Sequence, residues 1–564
     1  MAFKKSHFTF FNQQIFKTMK NMILNKLKII ALLIFVANLF SLGCTDLSES
    51  LRSDISADVH YSTAAGIQDL TIAMYDPLYE YYGYEAGSLL TVTGTDEFTY
   101  GSGRRSLWND YTAALNPTEG DVRGVLGIWN NFYRGINLTN SVLARIDDAT
   151  GVTQNQRQRW TAEARFLRAH YYHILVQHFG GVHLTLEETI GIETEAHRAS
   201  ESEIWDVVVE DLIYAIDNLP EDQSSFGRAT ANAARHSLAK VYLILENWDE
   251  AARLAIEVID SGQHRLLDNF ADVFDPYNQE HEEIIWSVVR NQDTRVRRND
   301  ESARVFGMRA QTIQGITTEN VYGLAASRYL PTKFLIEEVF GNDPNNGGIN
   351  FWNDTRYFSS FKEVWYYNDE ANLPMGTAIG DTAWYGPTAL HYQQLTDEEA
   401  RQKGEDGNYV FMRMEDWTDR MYTSMVDKFR NPDIQMYWGR NYIVMRLAET
   451  YLVAAEALMM TGRLQEAADY FNAVRLRAQA PNMQIPLIEP VELNIDEILN
   501  ERARELAGEN MRWKDLKRTG KLLERVRAYN KSAAPNIQEH HLLRPIPQSQ
   551  IDRTTNEYPQ NPGY

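Results

Sequence analysis

Cysteine is almost absent from this sequence of 564 residues, which contains Cys44 alone. A single thiol cannot form a disulfide within the chain, so no disulfide framework supports the fold. Stability must come from a hydrophobic core, and the chain is long enough to bury a large one. The sequence also lacks a phosphate-binding loop, a Gly-x-Ser-x-Gly elbow and a cysteine nucleophile pattern, so it carries none of these enzyme signatures.

Acidic residues are missing from the N-terminal segment, where none precedes Asp46. This segment is basic, and it then becomes apolar over 29–37 and again over 39–43. The apolar run is too short for a membrane span of ~20 residues but has the size of a signal-peptide core. We therefore predict a lipoprotein signal peptide over 1–43, lipidation of Cys44, a lipidated tether over 44–56 and a single domain over 57–564. The alternative is an uncleaved anchor helix with an incidental thiol.

Positive charge is in short supply, since 55 Lys and Arg residues face 77 Asp and Glu residues and the formal net charge is −22. The chain is more acidic still without its basic N-terminal segment. A surface of this sign repels phosphate backbones and anionic membrane surfaces. Nucleic acid is therefore excluded as the expected partner.

Apolar residues at helical spacing predict helices over about 127–146, 156–178 and 202–219. Residues 230–261 and 446–478 resemble each other, with small and large residues recurring at matched positions. This pattern is typical of tetratricopeptide-like helix pairs, although two ordinary helical hairpins remain an alternative. Residues 262–440 instead alternate short β-like runs with turn-rich stretches. The predicted fold is mostly α, with tetratricopeptide-like hairpins over about 57–261 and 441–520 scaffolding a loop-rich binding region over 262–440 with minor β elements.

Tryptophan and tyrosine are abundant, with 12 and 30 residues. Five tryptophans fall on predicted helices or their turns and are assigned to the core: Trp129, Trp160, Trp205, Trp248 and Trp513. A glycan site needs flat aromatic rings beside polar groups, which favours the aromatics in irregular sequence. Those candidates are Trp108, Tyr111, Trp352, Trp365, Tyr366, Trp384, Tyr385 and Trp417. For each of them, a loop-anchoring role is the alternative.

No metal site or cofactor is expected. His170 and His173 share a helix face, and His178 and His183 follow, but no carboxylate pattern accompanies them. Calcium held by Asp343 is the alternative, but the surrounding residues match no calcium-loop pattern and favour a simple turn.

Four ordered motifs carry a resemblance to a known family. They are WTAEARFLRA at 160–169 with FGGV at 179–182, GRAT at 227–230, ERARELA at 501–507 with RWKDL at 512–516, and PIP at 545–547 with the terminal QNPGY at 560–564. In this order and spacing they resemble the SusD/RagB family over nearly the whole mature chain. The charges within them, such as Glu505 and Arg512, indicate ion pairs rather than acid–base catalysis.

This resemblance implies a non-enzymatic, lipid-anchored protein at the outer face of the outer membrane. It would capture a nutrient, expected to be an oligo- or polysaccharide, and pass it to a SusC-type TonB-dependent transporter. It also implies ligand contacts in the loop after the first helices, where Asp96, Glu97 and Arg104 join Trp108 and Tyr111. A binder of peptides or another nutrient and, less favoured, a surface glycosidase are the alternatives.

Overall fold

The structure is a computed structural model. Apart from Met22, it describes residues 57–564 with gaps at 102–105, 119–124, 223–224, 291–299, 318–325, 342–347, 386–409, 412–425 and 431–438. The contacts divide the chain into two compact units, Met1–His60 and Tyr61–Tyr564. The signal segment and Cys44 lie outside the described residues.

Helices dominate the described chain, as predicted. The helices before the loop-rich region are α1 (Ala57–Tyr61), α2 (Ala64–Ala73), α3 (Glu85–Thr91), α4 (Leu107–Asp110), α5 (Gly127–Arg145), α6 (Gln154–Phe179), α7 (Glu201–Asn218), α8 (Ala231–Ile244) and α9 (Trp248–Asp260). Those within it are α10 (Phe270–Val273), α11 (Ser302–Phe306), α12 (Arg356–Ser360) and α13 (Val426–Phe429). Those after it are α14 (Leu447–Met460), α15 (Leu464–Arg477), α16 (Ile495–Leu506), α17 (Arg512–Arg518), α18 (Leu522–Tyr529) and α19 (Gln548–Arg553).

Local sequence signals set the ends of the long helices. Thr153 and Ser200 each form a capping box with Gln156 and Glu203 at the starts of α6 and α7, which satisfies backbone N–H groups that have no partner inside the helix. Helix α6 ends at Gly180, whose φ of 71° is a conformation that side chains with a Cβ rarely adopt. The three helices predicted from periodicity are therefore present, with ends shifted by at most two residues.

The two related segments form hairpins α8–α9 and α14–α15, which pack together through α9 and α14. Hairpin α6–α7 packs on the other side of α8, and α16 continues the stack beyond α14. Small residues such as Ala239, Ala251, Ala455 and Ala467 are fully buried where these helices approach. The stack therefore contains the three neighbouring pairs that a tetratricopeptide-like repeat needs for stability.

The described short strands are β1 (Phe98–Tyr100), β2 (Ile284–Val288), β3 (Tyr329–Pro331), β4 (Val364–Tyr366), β5 (Thr382–Tyr385), β6 (Val410–Phe411) and β7 (Tyr442–Arg446). Apart from β1, which lies in the N-terminal part, they fall within the loop-rich region or just after it. Strands β1 and β3 pair antiparallel, as do β2 and β7, and β5 pairs antiparallel with β4 and parallel with β6. The β2–β7 ribbon joins the start of the loop-rich region to its end.

The main core runs through the helical stack and contains Trp129, Trp160, Trp205 and Trp513, as predicted, while Trp248 packs against it partly buried. A second, smaller hydrophobic cluster lies within the loop-rich region and is centred on β4 and β5. No helix in the described residues is both long and apolar enough to cross a lipid bilayer.

Candidate functional site

A buried ion-pair network connects the loop-rich region to the helical scaffold. Arg356, on α12, is fully buried and contacts Asp354 at 2.6 Å, Glu501 at 2.8 Å and Glu505 at 3.0 Å. Glu501 and Glu505 belong to α16, so this guanidinium crosses from the loop-rich region into the scaffold. Because a guanidinium offers five N–H donors in a fixed plane, it orients all three carboxylates at once.

The scaffold side of this network is equally dense. Arg446, at the end of β7, contacts Glu283 at 3.0 Å, Glu505 at 2.5 Å and Glu509 at 2.8 Å. Arg477 contacts Glu283 at 2.8 Å and also pairs with Glu505. The carboxylates of the ERARELA motif therefore hold the scaffold helices to the loop-rich region through ion pairs.

These cations keep the carboxylates charged although they are buried. Burial alone raises the pKa of the Glu501 carboxyl, but Arg356, Arg475 and Arg504 together lower it to about 2. Burial acts in the same direction on Glu505, and its arginine neighbours again hold the pKa well below its ordinary value. Neither group can exchange a proton near neutral pH, so they serve as fixed anions rather than acid–base groups.

Asp96 belongs to a similar cluster of buried ion pairs. It accepts two hydrogen bonds from Arg512, at 2.7 and 2.6 Å, and one from Arg525 at 3.0 Å. It has no exposed surface, and burial that would raise its pKa is outweighed by the two arginines, which lower it. The prediction of Asp96 as a ligand contact is therefore wrong for this conformation, because the arginines occupy its lone pairs. Arg512 is ion-paired as predicted, although its partner is not Glu505.

The neighbouring Glu97 behaves differently. Burial raises its pKa to about 8, against the opposing effect of Arg512, which lies 3.2 Å away. Two adjacent carboxyls with pKa values shifted in opposite directions resemble an acid–base pair. Both are buried, however, so a substrate would have no access to them in this conformation.

Trp108 and Tyr111 are core residues, and their assignment to ligand binding is also wrong for this conformation. The Trp108 ring has no exposed surface and lies beneath the Arg544 guanidinium, which is 5.5 Å from the ring centroid. The Tyr111 hydroxyl donates to the Gly94 carbonyl at 2.8 Å, and its backbone adopts a φ of 51°. Both residues fix the loop, which was the alternative interpretation.

Trp365 and Trp384 also anchor structure. They face each other directly across β4 and β5 and are 2% and 0% exposed. Together with Met308 and Tyr367 they form the centre of the smaller hydrophobic cluster. Their assignment to an exposed platform is therefore corrected, because pairing of the two strands places both indoles inside.

Burial of Trp365 determines where Tyr366 points. Successive residues on a strand face opposite sides, so the residue after a buried tryptophan faces outward. Tyr366 is 52% exposed accordingly. Among the tyrosine and tryptophan candidates whose side chains are described, it presents the most open ring.

A second exposed aromatic surface lies on and before α12. Trp352 is half-buried, and its ring centroid is 5.6 Å from that of Phe358, which is 38% exposed. The adjacent Tyr357 turns inward and stacks on Phe361 at 5.0 Å. Phe358 was not among the residues predicted from the sequence, which were tryptophans and tyrosines. The run Tyr357-Phe358 after Trp352 was the signal that could have identified it.

The remaining candidates cannot be placed in the site. Arg104 and Trp417 lie outside the described residues, as does Asp343 of the weak calcium candidate. Tyr385 pairs through its backbone with Val364, and its side chain is outside the description.

The histidines of α6 engage in hydrogen bonds. The Nε2 atom of His170 lies 2.9 Å from the Tyr82 hydroxyl, and that of His178 lies 3.1 Å from the Tyr81 hydroxyl. Burial lowers the pKa of His170 to about 3, which keeps its ring neutral. In the described part of the chain, no group of three or more histidine, cysteine or carboxylate side chains is arranged to hold a metal ion.

The described residues thus place Trp352, Phe358 and Tyr366, hereafter the exposed aromatic group, at the surface of a region locked to its scaffold by buried charges. Phe358 and Tyr366 are eight residues apart, so their Cα atoms are at most ~28 Å apart. Aromatic rings that reach the solvent can stack on an apolar ligand face. This arrangement is typical of a binding protein built on a helical repeat.

Comparison with known proteins agrees with this class. Residues 282–564 match a family model described as the SusD family, and residues 49–243 match one described as starch-binding, associating with outer membrane. A SusD-like protein P25 from Formosa agariphila is 26% identical over 546 residues, covering 93% of this chain and 97% of its own. The starch-binding protein SusD from Bacteroides thetaiotaomicron is 24% identical and covers 74% of this chain and 75% of its own.

A solved structure of surface glycan-binding protein A from Bacteroides thetaiotaomicron, in complex with laminarihexaose, superposes with a TM-score of 0.66. It is 20% identical and covers 88% of this chain and 99% of its own, which establishes the shared fold. The chain belongs to the SusD family, as the four sequence motifs predicted.

Proposed function

We propose that this protein is a surface lipoprotein that binds an oligo- or polysaccharide and delivers it, without chemical change, to a SusC-type TonB-dependent transporter. The observation that carries the proposal is the exposed aromatic group on a scaffold locked by buried ion pairs. A sugar ring has an apolar face that stacks on such side chains. The names of the relatives, which include starch-binding and glycan-binding proteins, support the same ligand class.

Attachment through an acylated Cys44 completes the proposal. A protein held at the outer surface by lipid has no route of its own across the membrane. Its ligand must therefore pass to a protein that spans the bilayer, and a closed β-barrel is one of the two structures able to do so. The helical stack offers an extended surface to such a partner.

The ligand class is tested by titration calorimetry of the soluble chain, from residue 45, against maltohexaose, laminarihexaose and a set of peptides. Phe358→Ala and Tyr366→Ala should each weaken binding of the preferred glycan by ~0.5–1.5 kcal/mol, which is about 2- to 12-fold. Tyr277→Ala, which removes a tyrosine ring that is 78% exposed, is the matched control and should leave affinity unchanged.

The same samples are incubated with each glycan and the products are separated by chromatography. Intact glycan together with selective loss in the two variants supports the proposal. Shortened products would instead establish a glycosidase, and binding of peptides alone would establish the other alternative. Equal affinity in all variants would place the glycan site away from the exposed aromatic group.

A further inference from the structure

A small chamber with an unmatched positive charge lies inside the helical stack, away from the exposed aromatic group. It has two lobes, of ≈ 30 and ≈ 20 Å³, which share His173, Lys240, Met511 and Lys514 as lining residues. These residues come from α6, α8, the segment before α17, and α17 itself. A water-sized species needs roughly 10–15 Å³ of such space, so each lobe holds one or two.

The acids around the chamber already have cations of their own. Glu449 pairs with Lys240 at 2.7 Å, and Asp515 pairs with Arg502 at 2.8 Å and Arg518 at 3.0 Å. Glu509 is similarly engaged by buried cations, Lys428 at 2.7 Å and Arg446 at 2.8 Å.

Lys514 is the exception among these charges. Within the described residues its Nζ atom has no hydrogen-bond acceptor or ion-pair partner, and it lies 5.8 Å from the centroid of the Tyr81 ring. Burial lowers the pKa of Lys514 to about 7, assisted by the nearby Lys240 and opposed by Asp515 and Glu449. The ammonium therefore lacks the counter-charge that would hold it fully protonated.

His173 supplies a second unmatched donor. Its Nε2 atom lies 2.6 Å from the Gln177 amide nitrogen, which can only donate, so Nε2 accepts and the ring proton sits on Nδ1. Nδ1 is buried and has no hydrogen-bond partner among the described residues. Burial also lowers the pKa of His173 well below its ordinary value, so the ring remains neutral.

We propose that this chamber binds a small monovalent anion of chloride size, held by the Lys514 ammonium with His173 and Lys240 beside it. Donors without acceptors select an occupant that only accepts, and the lobes are too small for a polyatomic anion such as sulfate with its shell of contacts. The anion supplies the missing counter-charge inside the stack. Its site is separate from the glycan surface and does not depend on the proposed function.

Anion binding should be coupled to protonation of Lys514 between pH 6 and pH 9. Three other lining groups keep one charge state there, because the pKa of His170 is about 3, that of His173 is low, and burial raises the pKa of Tyr82 well above its ordinary value. Salt-bridged Glu509 and Asp515 have pKa values lowered by their cations despite burial. With a pKa of about 7 for Lys514, affinity should fall about 90-fold from pH 6 to pH 9.

The experiment uses bromide as the probe. Crystals of the soluble chain soaked in sodium bromide at pH 6 should show an anomalous peak within about 3.5 Å of Lys514 Nζ, and crystals at pH 9 should lack it. In solution, chloride-35 line broadening should report the same pH dependence and should disappear in Lys514→Met. Lys517→Met is the matched control, because Lys517 is a partly buried lysine of the same helix that donates to the Gln177 carbonyl and lies outside the lining.

A chamber without anomalous density at pH 6 would refute the proposal and leave water as its occupant, whatever the variants do. Line broadening that persists in Lys514→Met, or that vanishes equally in Lys517→Met, would place the anion elsewhere. The bromide result on the unmodified protein stands even if Lys514→Met fails to fold.

Discussion

Replacing Arg356 by methionine tests whether buried charges hold the loop-rich region to the scaffold. Methionine keeps much of the side-chain volume and removes the guanidinium. Glu501 would still contact Arg475 at 2.9 Å, and Glu505 would still contact Arg446 at 2.5 Å. Asp354 would lose its cation, since its arginine pairs among the described residues are all with Arg356.

The expected loss of unfolding free energy follows from the cation that Asp354 loses. One buried carboxylate is left uncompensated, and breaking a buried pair in this way costs ~3–5 kcal/mol of unfolding free energy. The matched control is Arg253→Met, because Arg253 pairs with Glu250 and Glu257 while about half exposed. Exposed pairs contribute roughly 0–1 kcal/mol, so the control should change stability little.

The pH dependence of stability tests the role of the buried charges independently. The Glu501 pKa is lowered from 4.5 to about 2, so its contribution is present above pH 4.5 and is lost as the pH falls towards 2. Arg356 is the first of the cations that lower this pKa, so Arg356→Met removes part of that contribution. The difference between the two proteins should therefore be largest near pH 7 and should shrink towards pH 3.

Both quantities are measured by urea unfolding followed by tryptophan fluorescence at pH 7, 5 and 3. A loss below 1 kcal/mol at pH 7, equal to that of Arg253→Met, would refute the role assigned to the buried network. A large loss that does not change with pH would mean that packing, rather than charge, is responsible.

Three further outcomes are expected. Trp108→Ala should lower the unfolding free energy by ~3–5 kcal/mol, because a fully buried indole leaves a cavity; urea unfolding measures this, and a stable variant with a selective glycan-binding defect would return Trp108 to the ligand site. Cys44→Ala should abolish metabolic labelling with palmitate and release the protein from the outer-membrane fraction, whereas retention there would contradict lipid anchoring. Mild detergent extraction and pull-down should recover a large β-barrel protein at near-equal amounts, since an obligate interface buries above ~2,000 Å²; recovery of the chain alone in several detergents would argue for a free-standing binder.

The helical part of the fold could be predicted because its signals are local. The spacing of apolar residues placed α5, α6 and α7, and the matched small residues of 230–261 and 446–478 identified the two hairpins. The direct packing of α9 on α14 could not be predicted, since the two helices are separated by the whole loop-rich region.

Individual ligand contacts were harder to predict for a physical reason. Trp365 and Tyr366 are adjacent and chemically similar, yet one is buried and the other is half exposed. Their orientation depends on which residue of β5 pairs with β4, and a shift by one residue would reverse it. The burial of Asp96 could not be predicted either, because it depends on arginine partners that lie more than 400 residues away in the sequence.

The β2–β7 ribbon has a consequence for how such a protein can change over evolutionary time. The ribbon brings Val288 and Tyr442 side by side, so the segment between them begins and ends at one place in the fold. Closing a loop twice as long costs only ~0.6 kcal/mol more, so the stretches of this segment outside the buried ion-pair network can lengthen or shorten while the scaffold keeps its packing. The repeats and the buried network therefore keep a constant frame, and the rest of the segment between the two strands can acquire new ligand specificities.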